Sequence, residues 1–196
     1  MDYWNHNTAF HPMIEDIAER LHGDVLDVGC GDGLLVERLA KVSRSVTGID
    51  RDERSLRDAE VRTAQIANAR VLLADFTTFE APPASFDLVT FVAALHHLDL
   101  AWALGRAAAI LRPGGRLVVV GLSADKTVAD YLRSAALLAP IRIASRFHGE
   151  DRTARGVAVP PQQGLKEIRR VARQVLPGVH LRQAFYYRYV LDWTKP

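Results

Sequence analysis

The stretch VLDVGCGDG, residues 25–33, constrains this chain more than any other. An apolar run stops at three glycines on alternate positions, Gly29, Gly31 and Gly33, and an acid, Asp27, stands two residues before the first. Such a run suits a strand covered on both faces. Glycines remove side chains where a backbone must turn sharply and touch a ligand. The following LLVERLAKV predicts a helix whose amide groups and positive dipole end face the same point. GxGxG alone is a weak signal, so its meaning depends on what the rest of the chain places beside it.

Apolar runs alternate with amphipathic ones along most of the sequence. SVTGID, ARVLLAD, FDLVTFVAA and RLVVVGL predict four more strands. Helices are predicted from Pro12 through Leu21, over 52–66 with Leu56 and Ala59 inward, from an Asp99 cap through Leu111, over 126–140, and in LKEIRRVARQVL. RPGG is expected to turn the chain into the fifth strand. VHLRQAFYYRYVLDW predicts two adjacent strands with a tight join. This order implies an α/β fold: a mostly parallel seven-stranded sheet, helices on both faces, and an antiparallel last strand. Ligands of such sheets sit at the carboxyl ends of the strands, where strand order reverses. Asp27–Gly33, Asp50, Asp75 and Val92–His97 are thereby expected around one cleft.

The 196 residues, 48% hydrophobic and 24% charged, suit a single domain over 1–196. No apolar run of about 18 residues appears, and MDYWNHNTAF has no signal-like pattern. The expectation is therefore a cytoplasmic chain with no membrane partner. Its one cysteine, Cys30, excludes an intramolecular disulfide and a cysteine cluster for zinc. Between glycines a small residue is all that the turn requires, so a reactive thiol is not expected there. The C-terminal part is basic and the rest acidic, but the arginines are scattered without interleaved aromatics, which argues for a solvated face over a nucleic-acid surface.

Two further acids shape the cleft for an adenosine. Asp50 ends the second strand, where a carboxylate can accept hydrogen bonds from ribose hydroxyls. Asp75 ends the third, where it can accept from an adenine amine while Phe76 packs beside the ring and offers a backbone amide. A cap on a following helix is the alternative use of such acids. A dinucleotide fingerprint would place a glycine at residue 34, which is Leu34, and no GxxxxGK[ST] loop is present. Asp27 beside the glycines disfavours a pyrophosphate and suits a ligand with a cationic amino group.

Jointly, VLDVGCGDG, GID (48–50), LLADF (72–76), FDLVTFVAALHHL (86–98) and LRPGGRLVV (111–119) resemble the class I S-adenosylmethionine-dependent methyltransferases of small-molecule type, over about residues 20–121. The resemblance implies a Rossmann-like fold and S-adenosylmethionine as cofactor, with S-adenosylhomocysteine as product. It implies that Asp27 lies near the methionine ammonium, and that Gly29, Cys30, Gly31, Gly33 and Leu34 lie along the methionine and ribose. Asp50 would bind the ribose with Arg51 covering the adenine, Asp75 and Phe76 would hold the adenine, and Val92 and Ala93 would line the methionine portion. VAAL stands where relatives acting on DNA bases or glutamine carry [DN]PP[YFW], which argues against those acceptors.

His96 and His97 follow the fourth strand and are the candidates for a catalytic base, with a shaping role as the alternative. No metal site is expected. Residues 1–22, with Tyr3, Trp4, His6, Asn7 and His11, form either an N-terminal lid helix or a helix packed on the surface. Residues 122–164, with Leu137, Leu138, Ile141, Ile143 and Phe147, form either an acceptor-side lid or an extra packed helix. His148 and His180 are expected to be solvated or packed, and YYRY (186–189) to serve as strand residues or pocket wall. The leading expectation is methyl transfer to a small organic acceptor by a monomer or homodimer. Its rivals are an RNA or protein acceptor, a non-catalytic cofactor-binding domain, and a nucleotide-dependent oxidoreductase.

Overall fold

The computed structural model of the chain describes residues 3–124, 161–185 and 188–196. The expected helix over 126–140, the lid residues Leu137, Leu138, Ile141, Ile143 and Phe147, His148, Tyr186 and Tyr187 lie outside the described residues.

The strands are β1 (Asp24–Val28), β2 (Ser45–Asp50), β3 (Ala69–Leu73), β4 (Phe86–Val92), β5 (Leu111–Leu122), β6 (His180–Gln183) and β7 (Arg188–Thr194). They form one seven-stranded sheet in the order β3-β2-β1-β4-β5-β7-β6. β1, β2, β3, β4 and β5 pair in parallel, and β7 runs antiparallel between β5 and β6. This is the expected sheet. Order reverses between β1 and β4, so the crevice opens at their carboxyl ends.

Helices cover both faces: α1 (His11–Leu21), α2 (Leu34–Ala40), α3 (Glu53–Thr63), α4 (Leu100–Ile110) and α5 (Leu165–Val175). Side chains alternate across each strand, which divides the core in two. Leu26, Phe91 and Val119 pack with Leu104, Ala107, Ile168 and Ala172 of α4 and α5. Val25, Leu88 and Val118 pack with Ile14, Leu35, Val36, Leu39 and Leu56 of α1, α2 and α3.

Boundaries shift in several elements, and α3 ends at Thr63 rather than residue 66. α4 ends at Ile110, one residue early, because Leu111 already pairs with Phe86 of β4. RPGG therefore lies within β5 as an irregularity, with Gly114 at φ +77 and a register shift between Phe86 and Leu88. β3 stops at Leu73, leaving Asp75 two residues beyond it. Among the described residues no helix is long and apolar enough to cross a membrane.

Candidate active site

The glycine turn has the conformation its residues predict. Gly29, Gly31 and Gly33 have φ of +74°, +55° and +76°, values that L side chains rarely adopt. Two of the three are also required by packing. A Cβ on Gly29 would come within 2.5 Å of the Ala94 Cβ, and one on Gly33 within 2.9 Å of the Ala59 Cβ. A Cβ on Gly31 would meet nothing within 4 Å. Gly31 thus presents bare backbone to open space.

Asp50 holds this turn. Its Oδ2 accepts from the Gly31 amide at 2.8 Å and its Oδ1 from the Asp52 amide at 2.9 Å. The Gly29 and Cys30 amides donate to the Ile49 carbonyl at 2.8 and 3.0 Å. A carboxylate keeps further lone pairs for a ligand after two such bonds. Asp27 lies beneath, 2% exposed, accepting from the Thr90 hydroxyl at 2.7 Å. Burial pushes its carboxyl up to about 7, opposed by the Thr90 bond and assisted by the charge of Asp50. Its carboxyl group is bonded within the sheet, whereas the loop amide is held by Asp50. Cys30 is buried at 7% exposure, and burial pushes its thiol above the ordinary range. Its Sγ would lie 3.0 Å from a Cβ on Gly48, so it packs against β2 as a small core residue.

The other predicted residues fall around the same crevice. Asp75 Oδ1 accepts from the Thr77 amide at 2.8 Å and its hydroxyl at 2.7 Å, and these bonds hold the carboxyl below its ordinary value. No helix directly follows Asp75, so this oxygen is used by the turn over 76–78 and not as a helix cap. The Phe76 ring is buried against Phe91 and Trp102, edge to face at 5.3 and 5.8 Å. It lies in the core rather than beside a ligand ring, so Phe76 can offer the crevice its backbone amide. Ala93, just past β4, has φ +54, and its amide donates to the Val120 carbonyl at 2.8 Å. A non-glycine residue in that region marks local strain held by its surroundings. His96 and His97 lie in a single 3-10 turn, ring centroids 4.0 Å apart and tilted by 37°. Burial, then the Arg51 charge, lower His97 below its ordinary value, while Asp50 opposes them.

Two cavities flank the end of β4. One, about 460 Å³, is lined by Gly29, Cys30, Gly31, Leu34 and Val92 and roofed by Tyr3, Asn5, Asn7, Thr8 and His11. Asp32 and Asp58 give its wall negative charge. The other, about 390 Å³, is lined by Arg51, His96, His97, Leu122, Gln162, Gln163 and Tyr189. Of the predicted residues, Gly29, Cys30, Gly31, Leu34 and Val92 line the first cavity and Arg51, His96 and His97 the second, whereas Asp27, Gly33, Asp50, Asp75, Phe76 and Ala93 line neither.

The N-terminal segment was legible as polar and aromatic, but its fastenings were not. Asn5 Oδ1 accepts from the amides of Asn7 and Thr8 at 2.8 and 2.9 Å, while Thr8 Oγ1 accepts from the Asn5 amide at 2.8 Å. Asn7 Oδ1 accepts from Arg188 Nη2 of β7 at 2.6 Å. The Tyr3 hydroxyl donates to Asp32 Oδ1 at 3.1 Å. Ser55 and Asp58 carry no sequence signal of their own, and Asp32 was expected only as part of the Asp27–Gly33 turn, without its partners. The place of Asp32 between two turn glycines was the available signal.

Residues 25–115 match a family described as a methyltransferase domain. An uncharacterized methyltransferase of Mycobacterium tuberculosis (strain ATCC 25618 / H37Rv) is 37% identical over 194 residues, covering 98% of each chain. A ubiquinone biosynthesis O-methyltransferase of Idiomarina loihiensis is 35% identical over 129 residues, covering 59% of this chain and 53% of that one. A crystal structure of a Pyrococcus horikoshii OT3 protein shares the fold with a TM-score of 0.70 at 15% identity, covering 96% of this chain and 89% of that one. The glycine turn and the near full-length match lead to one assignment: the chain belongs to the class I S-adenosylmethionine-dependent methyltransferases.

Proposed function

We propose that this chain transfers the methyl group of S-adenosylmethionine to an oxygen of a small hydroxylated acceptor held beside His96 and His97. The observation that carries the reading is the setting of His97. It stands past the end of β4, in a cavity of about 390 Å³, with burial and Arg51 favouring the neutral imidazole. A neutral imidazole can take a hydroxyl proton as the oxygen attacks. The O-methyltransferase relatives support oxygen as the attacking atom.

The residues present fit the cofactor. The bare Gly31 backbone leaves room for it, and Asp32 and Asp58 in the cavity wall suit its positive charges. Asp50 would hold the ribose hydroxyls, Asp75 and the Phe76 amide the adenine, Arg51 its face, and Val92 and Ala93 the methionine portion. When bound, S-adenosylmethionine supplies a methyl group activated by its sulfonium. The chain's task is then alignment, which can contribute about 7–11 kcal/mol, and removal of the acceptor proton by His97, with His96 fixing the ring.

Incubation with labelled cofactor and a panel of phenols and hydroxy acids tests this reading. His97→Ala should lower kcat by about 10²–10⁴-fold on the accepted hydroxyl compound. The wild-type rate should fall on acidification through the His97 value, below the ordinary 6.5, and stay flat above neutrality. Transfer only to amines or thiols, or an undiminished His97→Ala rate, rejects the oxygen and base assignments. The exposed Lys166, Arg170 and Arg173 of α5 support a second reading, an RNA acceptor. Steep salt dependence of RNA binding favours it, and no binding at physiological salt removes it.

A further inference from the structure

Asp32 is the non-glycine residue between two left-handed glycines, Gly31 and Gly33. Both neighbours are conformationally permissive, so what fixes Asp32 completes the hold that Asp50 has on the Gly31 amide. Arg62 of α3 fixes it twice. Its Nε donates to the Asp32 carbonyl and its Nη2 to Asp32 Oδ2, each at 3.0 Å. Its Nη1 reaches Glu37 Oε2 of α2, also at 3.0 Å. The Arg62 side chain is 17% exposed, which strengthens these charge-assisted bonds. The opposite carboxylate oxygen, Asp32 Oδ1, accepts from the Tyr3 hydroxyl at 3.1 Å and more weakly from the Leu34 amide at 3.3 Å. Tyr3 and Asp32 line the cavity over the glycine turn, whereas Arg62 does not.

We propose that Arg62 is a positioning residue for cofactor binding, acting through the Asp32 carboxylate that it shares with Tyr3. The set of the glycine turn and the closure of the N-terminal segment then depend on each other. The inference rests on the cofactor site proposed above. A guanidinium fork can hold carbonyl and carboxylate together, which an ammonium cannot reproduce. Tyr3 meets an Asp32 already oriented by Arg62, and loss of either partner loosens the other.

Titration calorimetry with S-adenosylhomocysteine tests this on the full chain and on Y3F, R62K, R62M and Y3F/R62M. R62M should weaken binding by about tenfold and Y3F by about threefold, with R62K between Y3F and R62M. The double variant should bind within about twofold of R62M, because Tyr3 has lost its oriented partner. Hydrogen exchange in the complex should rise at residues 5–11 in R62M while β4 stays protected, a selective change that general destabilisation does not give. Should R62M fail to fold, R62K and Y3F/R62K carry the same cycle. Wild-type affinity in R62M and R62K, or losses that multiply in the double variant, overturns the inference alone. Absence of binding by the unmodified chain overturns the cofactor site and the inference with it.

Discussion

Asp27 shows how one buried carboxyl sets a pH dependence. Its value rises from 3.8 to about 7 because the crevice floor removes water from it. The folded chain therefore holds a proton that the unfolded chain has lost, so stability declines as pH rises from about 4 to about 7. The limiting slope is about 1.4 kcal/mol per pH unit. Asp24, held low by Arg44, works in the opposite sense, and its contribution vanishes only in stronger acid. Denaturant unfolding across that range should show the decline in wild type and a flatter profile in Asp27→Asn. An unchanged slope in the variant would assign the proton elsewhere. The glycines separate packing from ligand contact in the same way. Gly29→Ala and Gly33→Ala add clashes with Ala94 and Ala59 to backbone strain, and each should cost at least about 2 kcal/mol. Gly31→Ala, with open space around its new methyl, should cost about 1 kcal/mol of stability. It should still weaken S-adenosylhomocysteine binding by about tenfold, read by calorimetry, since in the proposed site that methyl would enter the ligand's space.

Among the elements, α4 has a start set by one side chain. Asp99 Oδ1 accepts from the Trp102 amide at 2.8 Å. Asp99→Ala should cost about 1 kcal/mol and lower Tm by about 2–4 °C in a thermal melt. That cap was legible because it acts over three residues, and β1, β2 and β4 because doubly covered strands read as apolar runs. The end of α4 was not, since Leu111 leaves the helix to pair with Phe86 in a distant strand. Phe76 was legible as a residue beside the crevice but not in its direction, because the Phe91 and Trp102 rings that receive it come from other elements. The roof was hidden for the same reason: Asn7 is fastened by Arg188, 181 positions away. A local motif announces a turn and its acids. Which donors those acids meet is settled by tertiary contact.

On the scale of the whole molecule, the two ends of the sheet do different work. At the amino ends of β1 and β4, Arg112 donates to both Asp24 and Asp87, and Arg44 joins the same pair of carboxylates. Charges there satisfy one another and fasten neighbouring strands. At the carboxyl ends, backbone amides, acids and histidines face two cavities. A ligand that joins the glycine turn to the β2 and β4 loops should therefore stabilise the fold as a unit. At 100 times its Kd, S-adenosylhomocysteine should add about 2.7 kcal/mol. For a chain of this length that is a Tm rise of about 5–11 °C. NADH at the same concentration should give none, because Asp27 and Leu34 replace features that a pyrophosphate requires. Asp50→Ala should lose most of the rise, since Asp50 sets the Gly31 amide and would bind the ribose. A melt shifted by NADH and indifferent to S-adenosylhomocysteine would assign the crevice to a dinucleotide, and with it a different chemistry at the end of β4.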